Sequence, residues 1–226
     1  MPTAAAFADR GNEMITLLSE TRSTLRHARL PTRRRGAYPV AMPAAAKHWT
    51  VDDLATMPDD GNRYEIIDGE LLVTPAPSFR HQRLVGLLYA LILDYLRRHP
   101  IGDVLVAPAD VVFARDTVFN PDLLVLPLVE GRKPRSWSDS GRLLLAVEAL
   151  APSTMRHDRY TKRPRYQREQ VPECWIVDGD ARVVERWRPG DELPEVLQQQ
   201  MTWQPDPGYP PLLINLPVVF GEAEDG

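Results

Sequence analysis

"FNPDLLVLP", residues 119–127, and "LLLAVEALAPST", residues 143–154, decide how this chain is read. Both are short apolar runs of the kind that forms buried strands, yet the first carries Asp122 and the second Glu148. A carboxylate removed from water without a partner costs several kcal/mol, so each acid must be solvent-exposed at a strand end, paired, or bound to a cation. Asp122 opens its strand and Glu148 closes the next. Antiparallel pairing therefore sets them side by side, with Leu124 opposite Ala146 and Leu126 opposite Leu144 on the same face. Two carboxylates at one end of a sheet repel each other unless a cation lies between them. Oxygen donors of this kind suit Mg²⁺ or Mn²⁺, which keep several waters and need only a couple of protein carboxylates. The plainer reading, acids that are merely solvated or capping, stays open at this point.

The flanking sequence supplies the rest of the sheet. "WTVDDLATMP" (49–58) reads as a short helix capped by Thr50, with Asp52 and Asp53 in its first turn. "RYEIIDGELLVTP" (63–75) reads as a hairpin, because Asp68-Gly69 is a favoured type I′ turn pair between two β-rich tetrads. After Ser78, "FRHQRLVGLLYALILDYLRRHP" (79–100) repeats Leu84, Leu88, Leu91 and Tyr95 at helical spacing and closes on Arg97, Arg98 and His99. "DVLVAPADVVFA" (103–114), "PDLLVLP" and "RLLLAVEAL" then read as three strands, followed by a basic helix, two further strands and a final strand-like "LLINLPVVF" (212–220). The expected fold is α/β (α+β): a mixed central sheet flanked by helices, with an N-terminal β-hairpin.

Composition narrows the class. The 226 residues carry a formal charge of −4. Residues 1–47 hold eight Lys/Arg against three Asp/Glu, which leaves 19 against 28 for the body. We expect residues 1–47 to be a flexible basic extension, 48–222 the folded domain and 223–226 an acidic tail. For the extension, a nucleic-acid-touching tail and sequence upstream of a start at Met42 are both open. An acidic body disfavours a protein that grips nucleic acid by bulk charge. The single Cys174 allows no internal disulfide, and no zinc-like Cys/His spacing occurs, so a reducing, cytoplasmic setting is expected. The longest apolar run, Leu84 to Leu93, is too short to cross a bilayer.

A local basic strip does follow Glu148. Arg156, Arg159, Lys162, Arg163, Arg165 and Arg168 fall within thirteen residues, and Asp158, Lys162 and Tyr166 share one face if the segment is helical. A solvated face with an Asp158–Lys162 pair would look the same. Pro164 requires the helix either to begin near Thr161 or to kink.

Together, "RYEIIDGELLVTPAPSFRHQRL", "APADVVF", "NPDLLVLP", "VEALAPST" and "HDRYTKRPRYQREQVPECWIVD" resemble the Uma-type restriction endonuclease family of the PD-(D/E)xK nuclease superfamily, from about Trp49 to about Arg188. The resemblance implies a restriction-endonuclease-like core and a divalent-metal-dependent endonuclease acting on DNA. Asp122 and Glu148 would hold Mg²⁺ or Mn²⁺. The usual lysine position is Leu150, so the resemblance moves that role to Lys162. Glu65 and His81 fall in matching blocks as possible additional site residues, Asp110 is a weaker candidate, and Arg80, Arg156, Arg159 and Arg163 would position the nucleic-acid backbone. A homodimer is expected from the resemblance alone. The rival is a nuclease-fold module that binds nucleic acid or protein without cutting. A metal-independent hydrolase using Ser153 or Cys174 lacks any sequence context for an activated nucleophile.

Overall fold

The computed structural model describes residues 47–224, and the expected extension therefore lies outside the described residues up to position 46. The first described helix, α1 (Val51–Leu54), starts at a capping box between Thr50 and Asp53. The hairpin follows as β1 (Arg63–Ile67) and β2 (Glu70–Thr74), paired antiparallel from Arg63↔Thr74 to Ile67↔Glu70. Its turn has φ of 49° at Asp68 and 84° at Gly69, both left-handed, as a type I′ turn requires. Ser78 then accepts a hydrogen bond from the His81 amide and starts α2 (Phe79–Arg98), twenty residues long.

"DVLVAPADVVFA" is two strands rather than one. Its first part is β3 (Gly102–Val106), and its second is β4 (Val111–Ala114), which belongs to a different sheet. Pro108 breaks the run because it has no amide hydrogen to give to a ladder. The chain continues through β5 (Thr117–Phe119), β6 (Leu123–Pro127), the short α3 (Trp137–Ser140) and β7 (Leu145–Ala149). The basic segment forms α4 (Met155–His157), a π-helical turn (Asp158–Lys162) and α5 (Arg163–Arg168). Then come β8 (Glu173–Asp178), β9 (Val183–Trp187), β10 (Glu195–Leu197), β11 (Gln200–Trp203) and β12 (Leu212–Asn215).

The expected last strand, "LLINLPVVF", is corrected by the structure: it ends at Asn215, and α6 (Leu216–Glu224) takes over. Asn215 Oδ1 accepts the Val218 amide, and Pro217 occupies the first helical turn, where a missing N–H costs nothing. α6 includes Ala223 and Glu224, the first two residues of the expected acidic tail.

The six-stranded sheet runs β10-β9-β8-β7-β6-β3, mixed, with β7 and β8 its parallel pair. β6 and β7 pair antiparallel with Leu124 opposite Ala146. The ladder runs from Leu123 opposite Val147 to Val125 opposite Leu145, and just beyond it the Ala149 amide donates to Asp122, so Asp122 and Glu148 come to the same end of the pair. Both faces of this sheet are covered, which explains why these strands read as unbroken apolar runs. On one face Leu123, Val125, Leu145, Val147, Trp175 and Val177 pack with α2 and α6. On the other, Leu124, Ala146, Cys174 and Ile176 pack with Val111 and Phe119 of a four-stranded sheet, β2-β1-β5-β4, and with Tyr166 of α5. Asp122 and Glu148 continue that second face beyond its apolar part.

Gly102 and Gly86 owe their identity to different things. A Cβ on Gly102 would stand 2.5 Å from the Leu126 carbonyl oxygen and 3.0 Å from a Val125 methyl. Gly102→Ala is accordingly expected to destabilise the fold by about 1–3 kcal/mol through overpacking. Urea denaturation checks this, and an unchanged midpoint would refute it. Gly86 lies in mid-helix with helical backbone, and a Cβ there would meet only open space, so nothing within the protein requires glycine. It costs about 1 kcal/mol relative to alanine. No described helix is long and apolar enough to cross a membrane.

Candidate active site

Asp122 stands just before β6, where the strand begins, and both of its carboxylate oxygens are engaged. Oδ2 accepts the Ala149 amide at 2.9 Å, across the ladder from β7, and lies 3.1 Å from His81 Nε2. Oδ1 accepts from Arg63 at 2.6 Å. Burial alone would raise the Asp122 pKa, but His81 and Arg63 overcome it and hold the carboxyl at about 2. His81 Nε2 also lies 3.0 Å from the Ala149 carbonyl, so it faces two acceptors and is the protonated ring nitrogen. Its Nδ1 is buried and has no partner.

Glu148 is 1% exposed. Its Oε1 accepts from the Tyr166 hydroxyl at 2.6 Å, and its Oε2 accepts from Lys162 at 3.3 Å. Burial drives its pKa well above the ordinary carboxyl value, against the pull of Lys162. Lys162 is also enclosed, and its Nζ reaches Glu65 at 2.9 Å, Glu148 at 3.3 Å and Asp158 at 3.3 Å. Burial would lower the Lys162 pKa, but these three acids raise it well above the usual value. Glu65 is shared: its Oε1 also accepts the Asn120 amide at 2.8 Å, which ties the hairpin to the segment leading into Asp122.

The π-helical turn is what brings Lys162 inward. Pro164 has no amide hydrogen for an α-helical bond, and the turn before it is widened so that the Arg163 amide bonds the Asp158 carbonyl, five residues back. Pro164 sits in the first turn of α5, where it is tolerated. Asp158, Lys162 and Tyr166 are all buried, and the Asp158–Lys162 pair is enclosed rather than solvated.

The structure thus brings Asp122, Glu148, Lys162, Glu65 and His81 around one cavity of about 200 Å³, between the end of the β6/β7 ladder, the π-turn and the Pro75–Ser78 segment. Asp110 lies outside it, on the rim of an adjoining cavity. Arg63 was missed by sequence reasoning. The available signal was strand alternation, which puts Arg63 on the same face of β1 as Glu65. The arginines named as backbone contacts separate into two groups. Arg80 binds Asp180, Glu224 and the Gly179 carbonyl; Arg159 binds Asp178 and Glu185; Arg163 stacks on Trp187 at 4.1 Å and bonds Gln167. Among the described residues, Arg156 alone of the four is exposed without an internal partner.

Does this donor set suit a divalent cation? Among the described residues no three His, Cys, Asp or Glu side chains converge as a ready-made cage. Mg²⁺ asks for less than that, since it takes one or two carboxylates and keeps waters. The 200 Å³ cavity is lined by four carboxylates, Glu65, Asp122, Glu148 and Asp158, against two permanent cations, Arg63 and Lys162. Burial raises the pKa values of Glu148 and Asp158, Lys162 pulls them back, and the neighbouring acids add to the rise. Hard oxygen donors with excess negative charge fit a hard divalent cation.

Comparison with known proteins gives a consistent picture. A family model described as "Uma2: Putative restriction endonuclease" matches residues 51–218. The chain is also similar to a crystal structure titled as a putative nuclease belonging to DUF820 from Anabaena variabilis. That similarity has a TM-score of 0.63 and 17% identity, and covers 77% of this chain and 99% of the other. No curated protein matches the sequence.

Proposed function

The chain belongs to the Uma2 family, and from that premise we propose that it is a divalent-metal-dependent endonuclease that hydrolyses phosphodiester bonds of DNA. The observation that carries the proposal is the union of Asp122, Glu148 and Lys162 in one cavity, although they come from the residue before β6, from β7 and from a helical turn.

Asp122 and Glu148 would hold Mg²⁺ or Mn²⁺ in this reading. A bound ion of this kind supplies Lewis-acid stabilisation of a phosphate and a lowered pKa for water. The protein's own part is positioning. The Ala149 amide and His81 fix the rotamer of Asp122, and His81 and Arg63 keep it ionised. Tyr166 and Lys162 fix Glu148. Lys162, whose charge is secured by three acids, is a fixed cation beside the two metal-holding acids, suited to stabilising negative charge that develops on the phosphate or to orienting the attacking water. Arg63 lines both this cavity and its neighbour and can contact a phosphate oxygen. Arg156 is the exposed cation best suited to a backbone contact further out.

The test is incubation of the purified protein with supercoiled plasmid and with circular single-stranded DNA, in Mg²⁺, in Mn²⁺ and in chelator. Cleavage in metal that chelator abolishes is the expected result. Intact DNA in every condition, together with no calorimetric binding of Mn²⁺, would overturn the nuclease reading. Mn²⁺ binding without cleavage would favour the non-cutting module.

A further inference from the structure

The 200 Å³ cavity adjoins a larger one of about 670 Å³, and Arg63, Pro75, Ala76, Pro77, His81 and Asp122 line both. The volume of the larger is in the range of small-ligand pockets, about 300–1,000 Å³. Its lining is unlike a phosphate-binding surface. Three carboxylates, Asp59, Asp110 and Asp122, face one permanent cation, Arg63, and Asp122 already holds that cation at 2.6 Å. A polyanionic backbone laid along this cavity would meet net repulsion. The rest of the lining is largely aromatic, apolar or amide, with Tyr64, Tyr89, Met57, Val85, Asn62 and Gln82.

We propose that this cavity takes the nucleobase of an unpaired nucleotide, whose phosphate lies in the adjoining cavity at Asp122 and Glu148. The proposal rests on the nuclease reading and deepens it by naming the substrate class: nucleic acid with at least one unpaired base next to the scissile bond. A base is the neutral part of a nucleotide. It stacks on aromatic rings, and its amino and imino groups donate to carboxylates and amides. A paired base could not enter, because both its edge and its faces are already used within the duplex.

Gly86 is an independent pointer. It lines the cavity from the middle of α2, between Gln82 and Tyr89, at an exposed position. A Cβ there would meet nothing of the protein, and the backbone is helical, so neither packing nor conformation calls for glycine. Glycine is a poor helix former, and its use leaves the helix backbone open to close approach by a flat ligand. His81 lines both cavities, and its Nε2 is committed to Asp122 and the Ala149 carbonyl.

The test is fluorescence anisotropy in chelator, where no cleavage occurs, so that binding is read apart from catalysis. The probes are a single-stranded oligonucleotide, the same strand with abasic sites, a hairpin-closed perfect duplex, and that duplex with one central mismatch bubble. The single strand is expected to bind at least about tenfold more tightly than both the perfect duplex and the abasic strand, in keeping with base–aromatic stacking energies. The bubble is expected to bind more tightly than the perfect duplex, because an extruded base is then within reach. Gly86→Trp is expected to weaken single-strand binding roughly tenfold or more and leave the melting temperature intact, while Gly86→Ala raises melting by about 2–4 °C. Tyr89→Ala should weaken binding by a similar factor. A perfect duplex that binds as tightly as the single strand, or a folded Gly86→Trp protein with unaltered affinity, would overturn the proposal. Neither result touches the cleavage and Mn²⁺ assays on which the nuclease reading stands.

Discussion

Lys162→Ala is expected to lower the stability of the fold by about 3–5 kcal/mol, the usual cost of removing one member of a buried ionic cluster. The substitution strands three carboxylates, Glu65, Glu148 and Asp158, that now share one ammonium group. At roughly 2–4 °C per kcal/mol for a domain of this size, the melting temperature should fall by about 10 °C. Lys162→Met separates charge from packing. It restores most of the side-chain volume and none of the charge, so it is expected to be nearly as unstable as Lys162→Ala. The pH dependence gives the same distinction by another route. Burial has already raised the pKa of Glu148 and Asp158, and removal of the ammonium raises them further. A carboxyl whose folded-state pKa is raised destabilises the protein as the pH climbs above its unfolded value. The deficit of Lys162→Ala should therefore widen in urea titrations as the pH rises above the ordinary carboxyl range of about 4. A deficit that stays constant as the pH rises would mean that lost packing, not stranded charge, is the cause. Cleavage should be lost in both variants at temperatures where they remain folded.

How much of this could be read from the sequence depended on whether the signal was local. The hairpin turn at Asp68-Gly69, the cap at Ser78 and the apolar stripe of α2 are local patterns, and all three are present. The register that sets Leu124 opposite Ala146, and so brings Asp122 and Glu148 to one end of the sheet, was legible because both acids interrupt apolar runs with a shared alternation. What could not be read was settled by groups distant in sequence or by a single proline. Pro108 divides one apparent strand between two sheets. Pro217 turns an apolar stretch of strand-like composition into α6. Pro164 is accommodated by widening the turn before it, and that turn carries Lys162 into the cavity. Arg63 escaped notice because its partner, Asp122, is 59 residues away and an arginine at a strand start usually faces water. The basic strip was legible as charge but not as contacts: Arg159 pairs with Asp178 and Glu185 on β8 and β9, and Arg163 stacks on Trp187 and bonds Gln167 of α5, partners that the sequence does not announce.

Asp122→Asn is expected to reduce cleavage by roughly 10²–10³-fold or more, the scale on which loss of one preorganised electrostatic group acts. Its value as a test is that the same substitution has a second, metal-free consequence. The amide side chain keeps the shape of the carboxylate and can still accept the Ala149 amide hydrogen, but it leaves Arg63 and His81 without the charge that they face. The Asp122 pKa of about 2 lies below the ordinary value of 3.8, which corresponds to about 2–3 kcal/mol of stability at neutral pH. A depressed pKa contributes fully above the unfolded value and is lost as the pH falls through the folded one. The gap between wild type and Asp122→Asn, measured by urea denaturation in chelator, should therefore be full at about pH 5 and above and close as the pH is taken from about 4 towards about 2. A gap indifferent to pH would mean that the carboxylate is not held by Arg63 and His81 in solution. If the gap closes as described and Mn²⁺ binding disappears in the same variant, one side chain will have been shown to anchor both the resting ion-pair network and the metal. Arg63 would then be the internal cation that occupies Asp122 until a metal ion and a phosphate arrive together.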